Sequence, residues 1–326
     1  MTTSFSEPND NNELPVNIES PENVELPENV ESHPNIEHLV LSGGGVGLFA
    51  TYGALRDSAK SGFWKLDTLK SIWGTSAGAI VGGIILLSTD WDTLDNYIIR
   101  RPWESVFPIN LYTLMNAYTN CGLFNISSIE QLFSPLLLSR EFPVNITLNE
   151  LYENTGIEFH AFSTEINLKK PVDISHITHP RWRLVDAIYA SCSVPGLFSP
   201  YIHGENVYTD GGVYFHYPLK PCLDKYSSIE TIFGVVKHIT AGSYDPITAQ
   251  STLLDFIRNI KSFLLETLVV EQHNTYTKLL YEIDLGVLDS LTAEGIKNAL
   301  LQQDERRRLI EHGANAWRTQ TFFATI

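Results

Sequence analysis

The chain has 326 residues, 43% of them hydrophobic, enough apolar surface for a full core and consistent with one or two domains. A formal charge of −16 excludes the basic stripe that a nucleic-acid backbone demands, and excludes adsorption to an anionic membrane by charge alone. Cys121, Cys192 and Cys222 are odd in number and lack metal-ligand spacing, which favours a reducing compartment over a disulfide framework.

Residues 1–36 read as a disordered acidic tail. ELPVNIES at Glu13–Ser20 returns as ELPENVES at Glu25–Ser32, and nine acidic residues fall between Glu7 and Glu37 with no Lys or Arg. Such a segment buries too little surface to offset its ordering entropy. It has no apolar h-region, so neither a secretory signal nor a transit peptide is expected. The glycosylation-type triplets at Asn125 and Asn145 are then coincidental. The longest aliphatic run, Ala79–Leu87, is too short to span a bilayer. An intracellular, cytoplasmic protein is expected.

From residue 37 the pattern changes. Ile36–Leu41 is a short apolar run closed by Gly43-Gly44-Gly45, which suits a buried parallel strand entering a tight loop. Tyr52–Ser61 has helical spacing, with Leu55, Ala59 and Phe63 pointing inward. A second strand is expected at Leu69–Trp73 and a helix from Ser76 to Ser88. Strand, loop, helix, strand, elbow, helix is the βαβ logic of an α/β domain. Residues 91–150 are rich in aromatics and Leu and read as helices and loops capping the sheet. Strands are expected again at Glu158–Ser163, Val207–Thr209, Thr231–Val236 and Leu279–Leu285, and long helices at Thr252–Gln272 and Thr292–Ala316.

Three motifs carry chemistry. Gly74-Thr75-Ser76-Ala77-Gly78 puts a serine at the join of strand and helix. Its flanking glycines remove side chains that would collide on a sharp turn, and the helix N–H groups behind it favour an oxyanion. Alone, the motif also suits a glycine-rich helix entry. Gly43, Gly44 and Gly45 lie upstream and offer backbone amides for a tetrahedral intermediate, where one lost donor typically costs about 3 kcal/mol. No Gly-Lys-Ser/Thr follows, so the loop is not a P-loop, and it misses the dinucleotide fingerprint. Asp210-Gly211-Gly212 alone reads as a hairpin turn. Beside a serine elbow and a glycine loop, its carboxylate becomes the candidate base.

In this order the motifs resemble the patatin-like phospholipase family. DAIYASCSVPGLFSPY at Asp186–Tyr201, FHAFSTEINLKKPVDIS at Phe159–Ser175 and RRLIEHGANAW at Arg307–Trp317 are also similar to family stretches, so the resemblance covers residues 37–318. It implies an α/β fold, a patatin-like α/β/α sandwich with a central, mainly parallel sheet and a helical cap region, and makes residues 37–326 one catalytic domain. It further implies a phospholipase A-type lipid acyl hydrolase working through a Ser–Asp dyad and an acyl-enzyme. Ser76 would be the nucleophile, Asp210 the base, and Gly43–Gly45 the oxyanion hole. Gly74, Gly78, Gly211 and Gly212 would shape the elbow and the dyad loop. No metal or other cofactor is implied, and the reaction would be calcium-independent. The partner would be a phospholipid or other acyl-ester lipid, met through transient peripheral membrane contact. The apolar residues of the cap (Phe107, Leu111, Tyr112, Leu114, Met115, Tyr118, Leu123, Phe124) suit either core packing or contact with acyl chains and a lipid interface. An aspartate with a pKa near 4 is a weak base for a serine hydroxyl; desolvation and an oxyanion hole both narrow that gap.

The chain departs from the family pattern twice. The family continues its glycine loop as Gly-Gly-Gly-x-Arg/Lys-Gly, whereas Gly47 and Leu48 leave this loop without a basic residue. His216 stands where the family commonly has Asn, and a structural role beside the active-site loop is expected for it. Three alternatives stay open: a Ser-His-Asp α/β-hydrolase drawing on His238, an acyltransferase using the same elbow, and a degenerate lipid-binding or storage protein.

Overall fold

Buried side chains alternate between two faces along each central strand, and that alternation builds a sheet covered on both sides. The computed structural model describes residues 34–237, 247–251, 279–286, 293–320 and 322. The tail expected over residues 1–36 lies outside the described residues up to position 33, and the helix expected at Thr252–Gln272 lies wholly outside them. The chain divides into two units between Ser32 and His33, and every element below belongs to the second.

The strands are β1 (His38–Leu41), β2 (Ser71–Thr75), β3 (Gly122–Phe124), β4 (Glu158–Glu165), β5 (Lys170–Ile174), β6 (Gly196–Phe198), β7 (Tyr201–His203), β8 (Asn206–Asp210), β9 (Ile232–Val236) and β10 (Tyr281–Asp284). One sheet runs β10-β9-β1-β2-β4-β8-β7, with β5 also paired to β4. It is parallel from β10 to β4 and turns antiparallel at β5, β8 and β7. β3 and β6 form a separate parallel pair.

The helices are α1 (Leu48–Lys60), α2 (Ala77–Leu86), α3 (Trp91–Arg100), α4 (Trp103–Val106), α5 (Leu111–Asn116), α6 (Ile126–Ser139), α7 (Leu148–Thr155), α8 (Leu184–Cys192), α9 (Leu219–Lys225), α10 (Ala293–Leu301) and α11 (Gln303–Thr319). Leu39, Leu41, Ile72, Phe159, Ala161 and Val235 face the larger core with α1, α2, α6 and α8. Val40, Trp73, Phe162 and Ile232 face the smaller one, closed by Leu219 and Cys222 of α9. The result is an α/β/α sandwich with a mainly parallel sheet, capped by α3–α6. Every residue of α2 is buried, as an all-round apolar helix requires. The inward positions read for α1 hold: Leu55 and Phe63 are buried and Ala59 packs against the same core. Among the described residues no helix is long and apolar enough to cross a membrane.

The long helix expected over Thr292–Ala316 is two helices. Gln302 is extended at φ −114 and ψ 116. The buried Arg306 guanidinium donates to the carbonyls of Ala299, Leu300 and Ile99. Those bonds satisfy the carbonyls at the end of α10, so the chain is free to break there. α1 and α11 meet through glycines: a Cβ on Gly53 would overlap the Ile310 carbonyl, and one on Gly313 the Ala50 carbonyl.

Candidate active site

β2 is buried along its whole length and delivers the chain to Ser76, which lies at φ 54 and ψ −119 before α2 begins. A non-glycine residue held there costs about 1–3 kcal/mol, so surrounding structure must enforce it. Close approach does the enforcing. A Cβ on Gly74 would sit 2.6 Å from the Ala79 nitrogen, and one on Gly78 would overlap the carbonyls of Leu41 and Ser42. The Ser76 N–H donates to Ser191 Oγ at 2.9 Å, and Ser191 donates on to the Phe162 carbonyl at 2.6 Å.

Asp210 ends β8. Thr75 is in register with Phe162 on β4, and Ser163, one residue on, pairs with Asp210. Ser76 and Asp210 therefore flank Ser163 from opposite sides, with two strand spacings of about 4.8 Å between their backbones. Both lie past the carboxyl end of β2, where open α/β sheets place their sites. Asp210 Oδ1 accepts the Gly212 N–H at 2.8 Å, and Gly211 packs on the Phe162 carbonyl. Cys192 joins the two groups: it lines the cavity that holds Ser76, and its thiol pKa is raised by burial and then by the charge of Asp210.

The glycine loop arrives beside the serine. A Cβ on Gly43 would lie 3.5 Å from the Ser76 Cβ and 3.3 Å from His216 Nδ1. The Gly43 N–H donates to the His216 carbonyl at 2.8 Å, so the amide of this first glycine is already engaged. His216 is a strut: Nε2 bonds the Lys237 carbonyl at 2.8 Å, tying the loop to the end of β9. His238 lies outside the described residues. Among the described residues no group of three or more His, Cys, Asp or Glu could hold a metal ion.

Ser76 opens into an apolar cavity of about 110 Å³ whose walls include Phe49, Trp103, Phe107, Phe124, Phe198 and Leu300. A cavity of about 150 Å³ admits benzene, so this one has room for a small apolar group. The cap residues that the sequence left undivided now separate. Phe107 and Phe124 line the cavity, whereas Leu111, Tyr112, Leu114, Met115 and Tyr118 are exposed.

Four further residues position the site, and the sequence marks Ser163 and Thr209 as ends of expected strands and Ser191 and Ser193 only as part of a family-like stretch. Ser163 Oγ lies 2.8 Å from the carbonyls of both Ala190 and Thr209, and Thr209 Oγ1 donates to the Ser193 carbonyl at 2.8 Å. These bonds lock α8 and β8 to β4, and Ser191 extends the lock to the elbow.

Sheet order, elbow and glycine loop place the chain in the class of α/β/α proteins built around a serine elbow. The model of the patatin-like phospholipase family matches residues 39–223, more than half of the chain. The chain belongs to that family. It is 27% identical over 183 residues to a probable lipid hydrolase of Invertebrate iridescent virus 6, covering 56% of this chain and 61% of the viral one. An uncharacterized protein of Acanthamoeba polyphaga mimivirus is 23% identical over 82% of this chain and 93% of its own length. Triacylglycerol lipase 4 of Saccharomyces cerevisiae is 28% identical over 49% of this chain, which spans 18% of the yeast protein. Among solved structures, VipD from Legionella pneumophila aligns at a TM-score of 0.39 and 17% identity, covering 85% of this chain and 67% of VipD. The ExoU–SpcU complex of Pseudomonas aeruginosa aligns at 0.40 and 16%, covering 88% of this chain and 53% of the other.

Proposed function

We propose that the protein is a phospholipase A-type lipid acyl hydrolase that cleaves acyl esters through Ser76 and Asp210. Ser76 Oγ attacks the acyl carbon while Asp210 takes its proton, and the amides of Gly44 and Gly45 receive the developing oxyanion. The tetrahedral intermediate collapses, the alcohol leaves with the proton, and an acyl-enzyme remains. Water then attacks the ester, gives its proton to Asp210, and the fatty acid departs as Ser76 is reprotonated. The substrate is a phospholipid or other acyl-ester lipid met at a membrane. The observation that carries this reading is a serine held at φ 54 at the mouth of an apolar cavity. The family match and the viral relative's name support the same chemistry.

The test is hydrolysis of a fluorogenic medium-chain ester in excess EDTA. Ser76→Ala and Asp210→Asn are each expected to lower kcat by about 10³-fold or more, while His238→Ala keeps activity. Loss in the histidine variant would replace the dyad with a Ser-His-Asp hydrolase. An inactive wild type, with vesicles present as well, would turn the reading towards a lipid-binding protein.

A further inference from the structure

The segment between the two cavity-lining phenylalanines, Phe107 and Phe124, has no place in the chemistry described above. Ser105–Ile129 contains no Asp, Glu, Lys, Arg or His in a chain whose charge is −16. Within it the apolar side chains face water: Leu111 is 73% exposed, Tyr112 77%, Met115 72% and Tyr118 94%, with Ile109 and Leu114 about half exposed. A monomeric protein rarely leaves so many large apolar groups together without a partner.

The turn that presents them is fixed. Asn110 accepts the Thr113 N–H at 3.0 Å and Thr113 Oγ1 accepts the Asn110 N–H at 3.0 Å, a closed capping box that starts α5. Asn116 Nδ2 donates to the Tyr112 carbonyl, and the Gly122 N–H returns to the Ala117 carbonyl. Polar groups of the segment are thus spent on its own backbone while the apolar ones point out. The exposed patch is also continuous in the chain with the cavity, since Phe107 precedes it and Phe124 follows it, and both line the space beside Ser76.

We propose that Ile109–Tyr118 is the surface through which the protein seats itself on a zwitterionic lipid layer, feeding acyl chains past Phe107 and Phe124 towards Ser76. The inference rests on the lipid acyl hydrolase reading. A patch without cations has nothing to bind an anionic headgroup, and an acidic protein is repelled by one, so the surface suits phosphatidylcholine-like lipid. Insertion of apolar side chains drives the contact, at about a tenfold change in partition for each large group withdrawn from water.

The experiment uses the full chain in a Ser76→Ala background, so that binding is measured without turnover. Flotation with phosphatidylcholine vesicles is compared for this protein and for Leu111→Ser/Tyr112→Ser/Met115→Ser. The triple variant is expected to lose at least about a hundredfold in partition, and vesicles with added phosphatidylserine at low salt are expected to bind less than neutral ones. Tyr118→Asp, a single change at an exposed position, is a second variant expected to weaken binding with an unchanged melting temperature. With Ser76 restored, the triple variant keeps its rate on a soluble short-chain ester and loses hydrolysis of vesicle lipid in step with partition. Equal flotation of variant and parent would overturn the proposal. So would a parent that fails to float, or a dimer in sedimentation velocity that the triple variant dissolves, since the patch would then belong to a second copy. An enzyme inert on the soluble ester would sink the hydrolase reading instead, and the flotation result would still decide the surface.

Discussion

The two ends of the central sheet make opposite uses of polar chemistry. Towards the amino ends of β1, β2 and β4, ionisable groups are crowded and satisfied by one another. His160 is buried with Nδ1 2.9 Å from Asp173 and Nε2 3.0 Å from Glu158, and it stacks on Trp73 at 3.7 Å. Burial pulls its pKa down, but the two carboxylates outweigh burial and hold it above the usual value. His38 goes the other way: burial lowers it to about 4, and its Nδ1 lies 2.7 Å from Ser71 Oγ, which itself accepts the Trp73 indole N–H. At the carboxyl end, by contrast, a serine under backbone strain opens into an apolar cavity, and one carboxylate stands at the end of β8. A perturbed titration marks a functional site when a cavity accompanies it.

If that contrast holds, a substitution at one end moves activity and at the other moves stability. The largest expected effect is Ser76→Gly, which removes the hydroxyl and releases the strained φ together. Activity on a soluble ester is expected to fall by about 10³-fold or more. Stability in urea titration rises by about 1 kcal/mol. A loss of stability would mean that the elbow is not strained. Next is His160→Gln, which leaves Glu158 and Asp173 without their shared cation. Breaking such a buried arrangement costs about 3 kcal/mol or more, while kcat per folded molecule stays within twofold of wild type. A drop in kcat would join the two ends functionally and break the comparison.

What was legible in the sequence follows the same division. The elbow, the glycine loop and Asp210 were readable because their glycines answer to local backbone approach, which leaves a fixed spacing in the chain. The edges of the sheet were not. β5 carries Lys170 and Pro171 on a largely exposed edge, and β7 has three residues, so neither shows a buried strand's alternation. β2 runs Ser71–Thr75, two residues later than Leu69–Trp73, because Leu69 is still packing the turn before it. The break at Gln302 depends on Arg306 reaching carbonyls of α10 and of distant Ile99, which no local pattern records. Nothing local in the apolar run of the cap separates Phe107 and Phe124, which line the cavity, from Leu111, Tyr112 and Met115, which are exposed. The serine and threonine lock around Ser163 and Ser191 left no periodic signal, since those hydroxyls serve carbonyls on three different elements.

The polar end also makes a pH prediction. His160, raised in the fold, contributes stability that is fully present below its unfolded pKa near 6.5 and is lost as pH rises through the folded value. His38, lowered to about 4, must remain neutral in the fold, so its contribution is present above 6.5 and is lost as pH falls from 6.5 towards 4. Glu158, lowered to about 2 chiefly by the His160 hydrogen bond, adds a further loss between 4.5 and about 2. The three contributions place maximal stability near pH 6.5. In melting curves across pH, His38→Gln should flatten the acid limb and His160→Gln the alkaline limb. Unchanged limbs would show that the cluster does not couple to folding.

The smallest expected effect concerns the basic residue that the glycine loop lacks. β9 ends beside that loop, where the Lys237 N–H donates to Ser42 Oγ at 2.8 Å and the lysine stem runs along Gly44, its Cδ 3.3 Å from where a Cβ would sit. A lysine thus reaches the loop from a strand some two hundred residues later in the chain, a proximity that no reading of the loop itself reveals. As a general scale, a unit charge about 8 Å from a developing negative charge, at an effective dielectric of about 40, is worth about 1 kcal/mol, or roughly fivefold in rate, and that sets the size of effect expected of Lys237. Lys237→Met keeps the stem and removes the charge, so kcat/KM on a neutral soluble ester should fall by about that factor, with Lys237→Arg close to wild type. The loss should shrink in high salt, because a partly exposed charge is screened. An effect equal in the Met and Arg variants would assign Lys237 to packing against Gly44. No effect in either would leave the backbone amides and the strained elbow as sufficient for the chemistry at this end of the sheet.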